Sequence, residues 1–177
     1  GSTYLSSCYA YDQPTNTWAT CSSLPGAPAY AAAGAIDGKI YIWGGQLRAL
    51  PYSYQSTSPY SGFVVRYDPA TDSWETVVNS YSAGQELAYG AAAVYDGRLY
   101  RCGGQTHTAT SIPGSVPPLW AHQYYTTSTC STYEPGVGID YGSFPHMQEG
   151  RRRHGLVELG GHLYAVGGYA ASAESAL

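Results

Sequence analysis

Basic and charged residues are scarce in this chain. Its 177 residues include one lysine, Lys39, and Lys and Arg together number only 8. Charged residues make up 11% of the sequence, whereas about 25% is usual in globular proteins. With a net charge of −4, the chain lacks the clustered cations that replace phosphate counterions on nucleic acids. We therefore expect no nucleic-acid partner.

Several other signals are missing from the sequence. No apolar run approaches the length of about 20 residues that spans a bilayer, so we expect no membrane span. The first residues lack the basic and apolar pattern of a secretory leader, so any leader is expected to have been removed or never present. The five histidines show no metal-binding spacing, and the sequence contains no nucleophile motif or glycine-rich phosphate loop. We therefore predict no metal site, no cofactor and no catalytic residue.

Tyrosine and glycine, by contrast, are abundant, with 19 and 22 copies. Together with Ser and Thr they favour β-strands joined by turns. One phrase occurs three times, as YAAAGAIDGKIYIWGG at Tyr30–Gly45, YGAAAVYDGRLYRCGG at Tyr89–Gly104 and RHGLVELGGHLYAVGG at Arg153–Gly168. In each copy the turn glycine precedes the first glycine of the closing pair by six residues. Each copy therefore predicts a hairpin of two short strands.

A second phrase lies between these hairpins. It reads YDQPTNTW at Tyr11–Trp18 and YDPATDSW at Tyr67–Trp74, and a degenerate version, one residue longer, runs from Tyr133 to Tyr141. The two phrases together resemble the kelch repeat, whose units of about 50 residues form the blades of a β-propeller. Short strands between glycine turns also fit a β-sandwich, but a sandwich has no reason to repeat these offsets.

The resemblance implies an all-β fold, a kelch-type β-propeller with about three blades' worth of four-stranded antiparallel sheets, as half of a six-bladed ring. It divides residues 1–177 into an outer half-blade at 4–22, a blade at 28–79, a blade at 87–145 and an inner half-blade at 153–168. We expect three loops, at Gln46–Gly62, Gln105–Tyr125 and Tyr169–Leu177. Two copies would close the ring as a homodimer, or the propeller continues in a longer chain.

The first hairpin predicts a disulfide. Cys8 and Cys21 lie at equal distances from the turn, outside Tyr11 and Trp18, so antiparallel pairing places the two cysteines opposite each other. That separation suits a disulfide, although two buried thiols would fit the same positions. The kelch resemblance also implies that Trp18 and its equivalent Trp74 pack between blades.

A second disulfide is predicted within the later blade. Cys102 and Cys130 lie on strands that should be neighbours, but the sequence does not fix their register. In the hairpin around Tyr67–Trp74, the residues equivalent to Cys8 and Cys21 are Val64 and Val77. This pair of positions therefore favours apolar residues. Two disulfides would favour a secreted protein, with a cytoplasmic one as the alternative.

A candidate binding site lies where the inner hairpins begin. Tyr30, Tyr89 and Arg153 each stand eight residues before a turn glycine, and Arg151 stands ten before. We predict that Arg151 and Arg153 share a pocket with the two tyrosines near one end of the propeller axis. Clustered guanidinium groups suit carboxylate or phosphate recognition; the alternative is a solvated basic turn. The full set of candidate ligand-binding residues is Tyr30, Tyr89, Trp120, Arg151, Arg153 and His154.

The function indicated by these patterns is that of a non-catalytic interaction module. Long Tyr- and Trp-rich loops on a rigid scaffold would present a surface to a protein or a carbohydrate. Two alternatives come from the kelch resemblance. One is the propeller of a secreted enzyme similar to the copper radical oxidases or the sugar mutarotases. The other is the recognition propeller of a BTB–kelch adaptor, although the sequence contains no BTB or BACK segment.

Overall fold

The structure, a computed structural model, describes residues 3–47, 60–79, 86–114, 120–170 and 174–176. Within these ranges the regular secondary structure consists of β-strands, with no helix. Accordingly, these residues contain no helix with the length and apolar character needed to cross a membrane. The prediction of an all-β fold built from four-stranded antiparallel sheets is confirmed.

The strands fall into two complete blades, two single hairpins and one additional sheet. The first hairpin is β1 (Cys8–Asp12) and β2 (Thr17–Cys21), and the first blade is β3 (Ala32–Ile36), β4 (Lys39–Trp43), β5 (Val64–Asp68) and β6 (Ser73–Val78). The second blade is β7 (Ala91–Tyr95), β8 (Arg98–Cys102), β11 (Cys130–Glu134) and β12 (Gly138–Asp140). The last hairpin is β13 (Gly155–Leu159) and β14 (His162–Val166), and the additional sheet is β9 (Gln105–Ser111), β10 (Trp120–Thr126) and β15 (Glu174–Ala176).

The inner hairpins form because their turns meet the backbone demands of a tight connection. Asp37 and Gly38 have φ of 49° and 72°, and Asp96 and Gly97 have φ of 48° and 70°. Positive φ at both central residues is the type I′ geometry, which matches the twist of the flanking strands and favours Asp-Gly. The predicted hairpin turns are therefore present in both complete blades.

The core lies between the two complete blades. Leu99 and Val64 are fully buried, and Trp43 is 1% exposed. Tyr133 of β11 packs against Tyr41 and Trp43 of β4, with ring centroids 5.5 Å and 6.5 Å apart. The aromatic residue of one blade's outer hairpin therefore covers the inner hairpin of the preceding blade.

A small residue on β3 allows the inner strands of these blades to approach closely. A Cβ atom added at Gly34 would lie 2.5 Å from Leu99 Cδ1 and 2.7 Å from Val94 Cγ2. Both neighbours belong to the second blade, so a hydrogen atom in place of a side chain at residue 34 sets the distance between the two blades.

Two segments expected to be loops contain strands. Within Gln105–Tyr125 the chain forms the hairpin of β9 and β10, and within Tyr169–Leu177 it forms β15, which pairs with β10. The prolines that indicated a loop lie between β9 and β10, so they belong to the connection and leave the two flanking runs free to pair. The third expected loop, Gln46–Gly62, lies mostly outside the described residues.

Two predicted registers are wrong. Val64 pairs with Val78 and not with Val77, because a β-bulge interrupts the β5–β6 ladder at this point. Tyr133 pairs with Ile139 and not with Tyr141, so the turn of this outer hairpin is shorter than those of the other two. Residue counting assumes equal numbers of residues on the two strands, which is why it missed the extra residue on β6.

The two equivalent tryptophans have different environments. Trp74 is partly buried, and its indole Nε1 donates a hydrogen bond to the Ser22 carbonyl oxygen at 2.7 Å. Trp18, by contrast, is 69% exposed. The expectation that both pack between blades is wrong for Trp18, because within the described chain no blade precedes the β1–β2 hairpin.

Candidate functional site

Two tyrosines and an arginine form a stack where the three inner hairpins begin. The rings of Tyr30 and Tyr89 are stacked, with centroids 4.2 Å apart and an interplanar angle of 27°. The guanidinium carbon of Arg153 lies 4.9 Å from the Tyr89 ring centroid and 5.9 Å from that of Tyr30. These distances place the cation within reach of both aromatic faces. We call these three residues the axial stack.

The backbone positions the axial stack identically in each repeat. Tyr30, Tyr89 and Arg153 have φ of 59°, 63° and 54°, the left-handed conformation that residues with a Cβ rarely adopt. The Tyr89 amide donates to the Tyr30 carbonyl oxygen at 3.0 Å, and the Arg153 amide donates to the Tyr89 carbonyl oxygen at 2.8 Å. The repeated conformation and the bonds between repeats bring the side chains of three separate repeats together.

Arg151 does not share this pocket. Its Nη1 atom lies 3.2 Å from the carbonyl oxygen of Gly167 and 3.5 Å from that of Ala165, so the side chain donates to the end of β14 in its own hairpin. Its Nη2 atom lies 3.7 Å from a carboxylate oxygen of Glu149. Arg151 therefore holds its own hairpin together, and only Arg153 of the two predicted arginines lies against the tyrosines.

His154 follows the axial stack in the chain and is partly buried. Neither of its ring nitrogens has a hydrogen-bond partner in the described structure. Burial lowers the pKa of His154, and the nearby charge of Arg151 lowers it further. The ring is therefore neutral at pH 7 and adds no positive charge to the site.

Further aromatic residues surround Tyr89. Its hydroxyl donates to Gln46 Oε1 at 2.8 Å, and its ring lies edge-on to that of Tyr60 at 6.4 Å. Tyr60 in turn contacts the rings of His107 and Tyr124, both on the β9–β10 hairpin, with centroids 6.4 Å and 6.3 Å away. Partial burial raises the pKa of Tyr89, so the phenol stays protonated at neutral pH. These contacts fix Tyr89, while Tyr30 remains 52% exposed.

The remaining predicted sites divide between the described and undescribed parts of the chain. The side chain of Trp120 lies outside the described residues. In the ranges that are described, no group of three or more His, Cys, Asp or Glu side chains is arranged to hold a metal ion. One charged residue that sequence reasoning passed over is Arg101, which is only 2% exposed. The available signal was a cation in the middle of an inner strand, where the other repeats have Ile42 and Ala165.

The cysteines pair as disulfides in both predicted combinations. Cys8 and Cys21 face each other across β1 and β2 with a Cα separation of 5.0 Å, and Cys102 and Cys130 face each other across β8 and β11 at 4.1 Å. No free cysteine remains among the four. The second bridge is buried and ties an inner strand of its blade to an outer one.

Comparisons with known proteins agree with this architecture. A family model for the kelch motif matches residues 28–77. The Kelch-like protein terF of Aspergillus terreus is 38% identical over 98 residues, which are 55% of this chain and 20% of that protein. The solved structure of YjhT has a TM-score of 0.65 at 17% identity, covering 96% of this chain and 47% of that one. The chain therefore spans about half or less of each relative, and the structural likeness concerns the fold alone.

Proposed function

We propose that this chain, a kelch-repeat protein, is a non-catalytic binding module whose axial stack engages a carboxylate-bearing ligand. The observation that carries the proposal is the position of Arg153, whose exposed guanidinium lies over the Tyr89 ring. Stacking occupies the face of the guanidinium and orients it. The N–H donors around its edge can then form paired hydrogen bonds with a carboxylate.

The chemistry of the axial stack fits an acidic carbohydrate or an acidic peptide segment. Tyr30 is 52% exposed and offers a flat apolar face, which suits the face of a sugar ring or a peptide side chain. Tyr89 is held in place by Gln46, so the surface is ordered before the ligand arrives and little entropy is lost on binding. Rigid aromatic residues beside an arginine are also typical of protein-binding surfaces.

Calorimetric titration with two probes tests this proposal. The probes are a short poly-glutamate peptide and a galacturonic acid oligosaccharide, each compared with an uncharged analogue. Replacing Arg153→Gln should weaken binding of the acidic probe about tenfold to a hundredfold, as expected for hydrogen bonds to a charged group. The matched control is Arg98→Gln, which removes an arginine that pairs with Glu134 elsewhere on the surface. Equal binding by both variants and the unmodified chain would refute the proposal.

We also propose that two copies of the chain complete each other's blades. In both complete blades the second strand of the inner hairpin pairs onward with the outer hairpin, as β4 pairs with β5 and β8 with β11. Among the described strands, β14 and β1 have no such neighbour. The β1–β2 hairpin of a second copy would supply the missing neighbour of β14. It is an outer hairpin, and the β13–β14 inner hairpin lacks one.

The exposure of the last hairpin supports this second proposal. Tyr164 and Val166 are 47% and 64% exposed, whereas the residues at the same positions in the first blade, Tyr41 and Trp43, are 3% and 1% exposed. The face of β13–β14 is therefore apolar in the manner of a blade interior. A surface of this kind without a covering element favours association.

The registers of the complete blades predict which residues would meet. Transferring the β8–β11 pairing, in which Tyr100 faces Thr132, places Tyr164 opposite Ala10 of the other copy. The double variant Ala10→Cys with Tyr164→Cys should form a disulfide between copies, detectable on a non-reducing gel. The control joins Tyr164→Cys with Ala19→Cys, on the far strand of the same hairpin. Light scattering that finds a folded monomer would refute the two-copy ring.

Finally, we propose that the protein works in an oxidising compartment, as a secreted protein does. Two disulfides without a free cysteine support this, because such bridges persist in oxidising surroundings and are rare in the cytosol. Mass spectrometry after alkylation of the protein from its native source is the test. Four alkylated cysteines would refute the proposal.

A further inference from the structure

A polar cavity lies against the second blade, apart from the axial stack. Its volume is about 220 Å³. The residues that line it are Leu87, Arg101, Thr106, Thr127, Thr129, Ser131 and Tyr141. Five of these carry hydroxyl groups and one carries a charge, while no carboxylate is among them. The cavity thus combines a cation with several hydroxyl groups, which donate hydrogen bonds readily.

Arg101 is built into this cavity by the packing of two blades. It lies on β8, opposite Ser131 of β11, and its guanidinium carbon is 4.1 Å from the centroid of the Trp43 ring in the first blade. The approach requires glycine at residue 44, where an added Cβ would lie 2.9 Å from Arg101 Nη1. The indole covers one face of the guanidinium and fixes the charge in position. The N–H groups along the edge of a guanidinium are the donors that recognise an oxyanion.

We propose that this cavity binds a small oxyanion, a carboxylate or a phosphate, through Arg101 and the hydroxyl groups of Ser131 and Thr106. A volume of about 220 Å³ corresponds to about seven waters at 30 Å³ each. It lies below the range of about 300–1,000 Å³ typical of drug-sized ligands. A single phosphate or a short carboxylate fits this space, and a sugar chain or a peptide does not.

The electrostatics of the cavity agree with an anionic occupant. Burial lowers the pKa of Arg101 to about 10, so the side chain is still charged at neutral pH. A cation in a low-dielectric site is stabilised by an anion placed against it more than it would be in water. Hydroxyl groups complete such a site because they donate to the oxygens that the guanidinium does not reach.

The test is thermal unfolding with inorganic phosphate and with malonate, at constant ionic strength and with chloride as the reference anion. A bound anion should raise the melting temperature in a saturable way, by the mass-action law for a ligand of the folded state. Phosphate acting alone identifies a phosphate site, and malonate acting alone identifies a carboxylate site. Trp43 provides a second readout, because its ring contacts Arg101 and its fluorescence should change with the same midpoint.

Variants separate a specific site from a general salt effect. Arg101→Met should abolish the saturable shift, and Ser131→Ala should weaken the apparent affinity about tenfold, as for loss of a hydrogen bond to a charged group. Arg98→Gln, at an arginine that pairs with Glu134 outside the cavity, should leave the shift unchanged. A shift that persists in Arg153→Gln does not come from the axial stack, so this result is independent of the proposed function. If Arg101→Met does not fold, Ser131→Ala and Thr106→Val test the site instead, and both should weaken the saturable shift. No saturable shift with either anion, or a shift that survives these substitutions, would overturn the proposal.

Discussion

The close approach of the two complete blades gives the sharpest prediction. Replacing Gly34→Ala adds one methyl group to β3, directed at Leu99 and Val94 of the second blade. The added carbon would lie 2.5 Å and 2.7 Å from two side-chain carbons, whereas ordinary carbon contacts are about 3.5–4.0 Å. Leu99 is fully buried, so displacing its side chain would disturb the neighbours that pack around it.

The expected cost follows from overpacking of a filled core. Inserting a methyl group into such a site destabilises a protein by about 1–3 kcal/mol. In a domain of this size each kcal/mol lowers the melting temperature by about 2–4 °C, so the variant should melt about 2–12 °C below the unmodified chain. A second change, Val94→Ala, removes one of the two contacts, and the double variant should recover part of this loss.

The assay is thermal unfolding followed by circular dichroism, with a matched control. Gly142 has no atom within 4 Å of an added Cβ and no positive φ. The change Gly142→Ala should therefore leave stability unchanged or raise it slightly, by restricting the unfolded chain. If Gly34→Ala melts together with Gly142→Ala, the two inner strands do not meet as described and the reasoning is refuted.

Two further predictions concern the contact between the first hairpin and the first blade. Trp74→Ala should destabilise the chain by about 2–3 kcal/mol, which is about half the value for a fully buried aromatic residue plus the loss of one hydrogen bond. Trp18→Ala should cost less than about 1 kcal/mol in the monomer. Equal melting temperatures for the two variants would contradict this prediction. The Ser22 amide and the Tyr67 hydroxyl both donate to Asp72 and lower the pKa of its carboxyl. The stability that this carboxyl contributes is therefore present above its unfolded pKa of about 4 and is lost as the pH falls through the lower folded pKa. The melting temperature of Asp72→Asn should therefore fall less steeply with decreasing pH than that of the unmodified chain.

The sequence predicted the blade architecture because local chemistry determines it. The offset from each turn glycine to the closing glycine pair depends on hairpin geometry, which adjacent residues decide. The β9–β10 hairpin was missed because Pro113 and its neighbours dominated a stretch that also contains alternating Thr and aromatic residues. Pairing of β10 with β15 joins residues far apart in the chain, and nothing local marks such a pairing.

The sequence also predicted part of the candidate site. Equal offsets placed Tyr30, Tyr89 and Arg153 together, because equivalent positions in successive repeats lie next to one another. The same counting also placed Arg151 in the pocket, whereas its side chain contacts its own hairpin. An offset locates a Cα atom and not the direction of a long side chain. Arg101 escaped notice because its environment is supplied by Trp43, a residue of another blade.

The shared left-handed conformation in the axial stack also bears on how such a protein acquires new specificity. The strand geometry and the bonds between repeats hold the backbone at Tyr30, Tyr89 and Arg153, whichever side chain is attached. The conformational cost of about 1–2 kcal/mol falls on any residue with a Cβ, so it does not distinguish tyrosine from arginine. A duplicated repeat therefore inherits a backbone position that lies beside the equivalent residues of its neighbours. A single codon then sets what that position presents, and a new recognition surface arises without any change of fold.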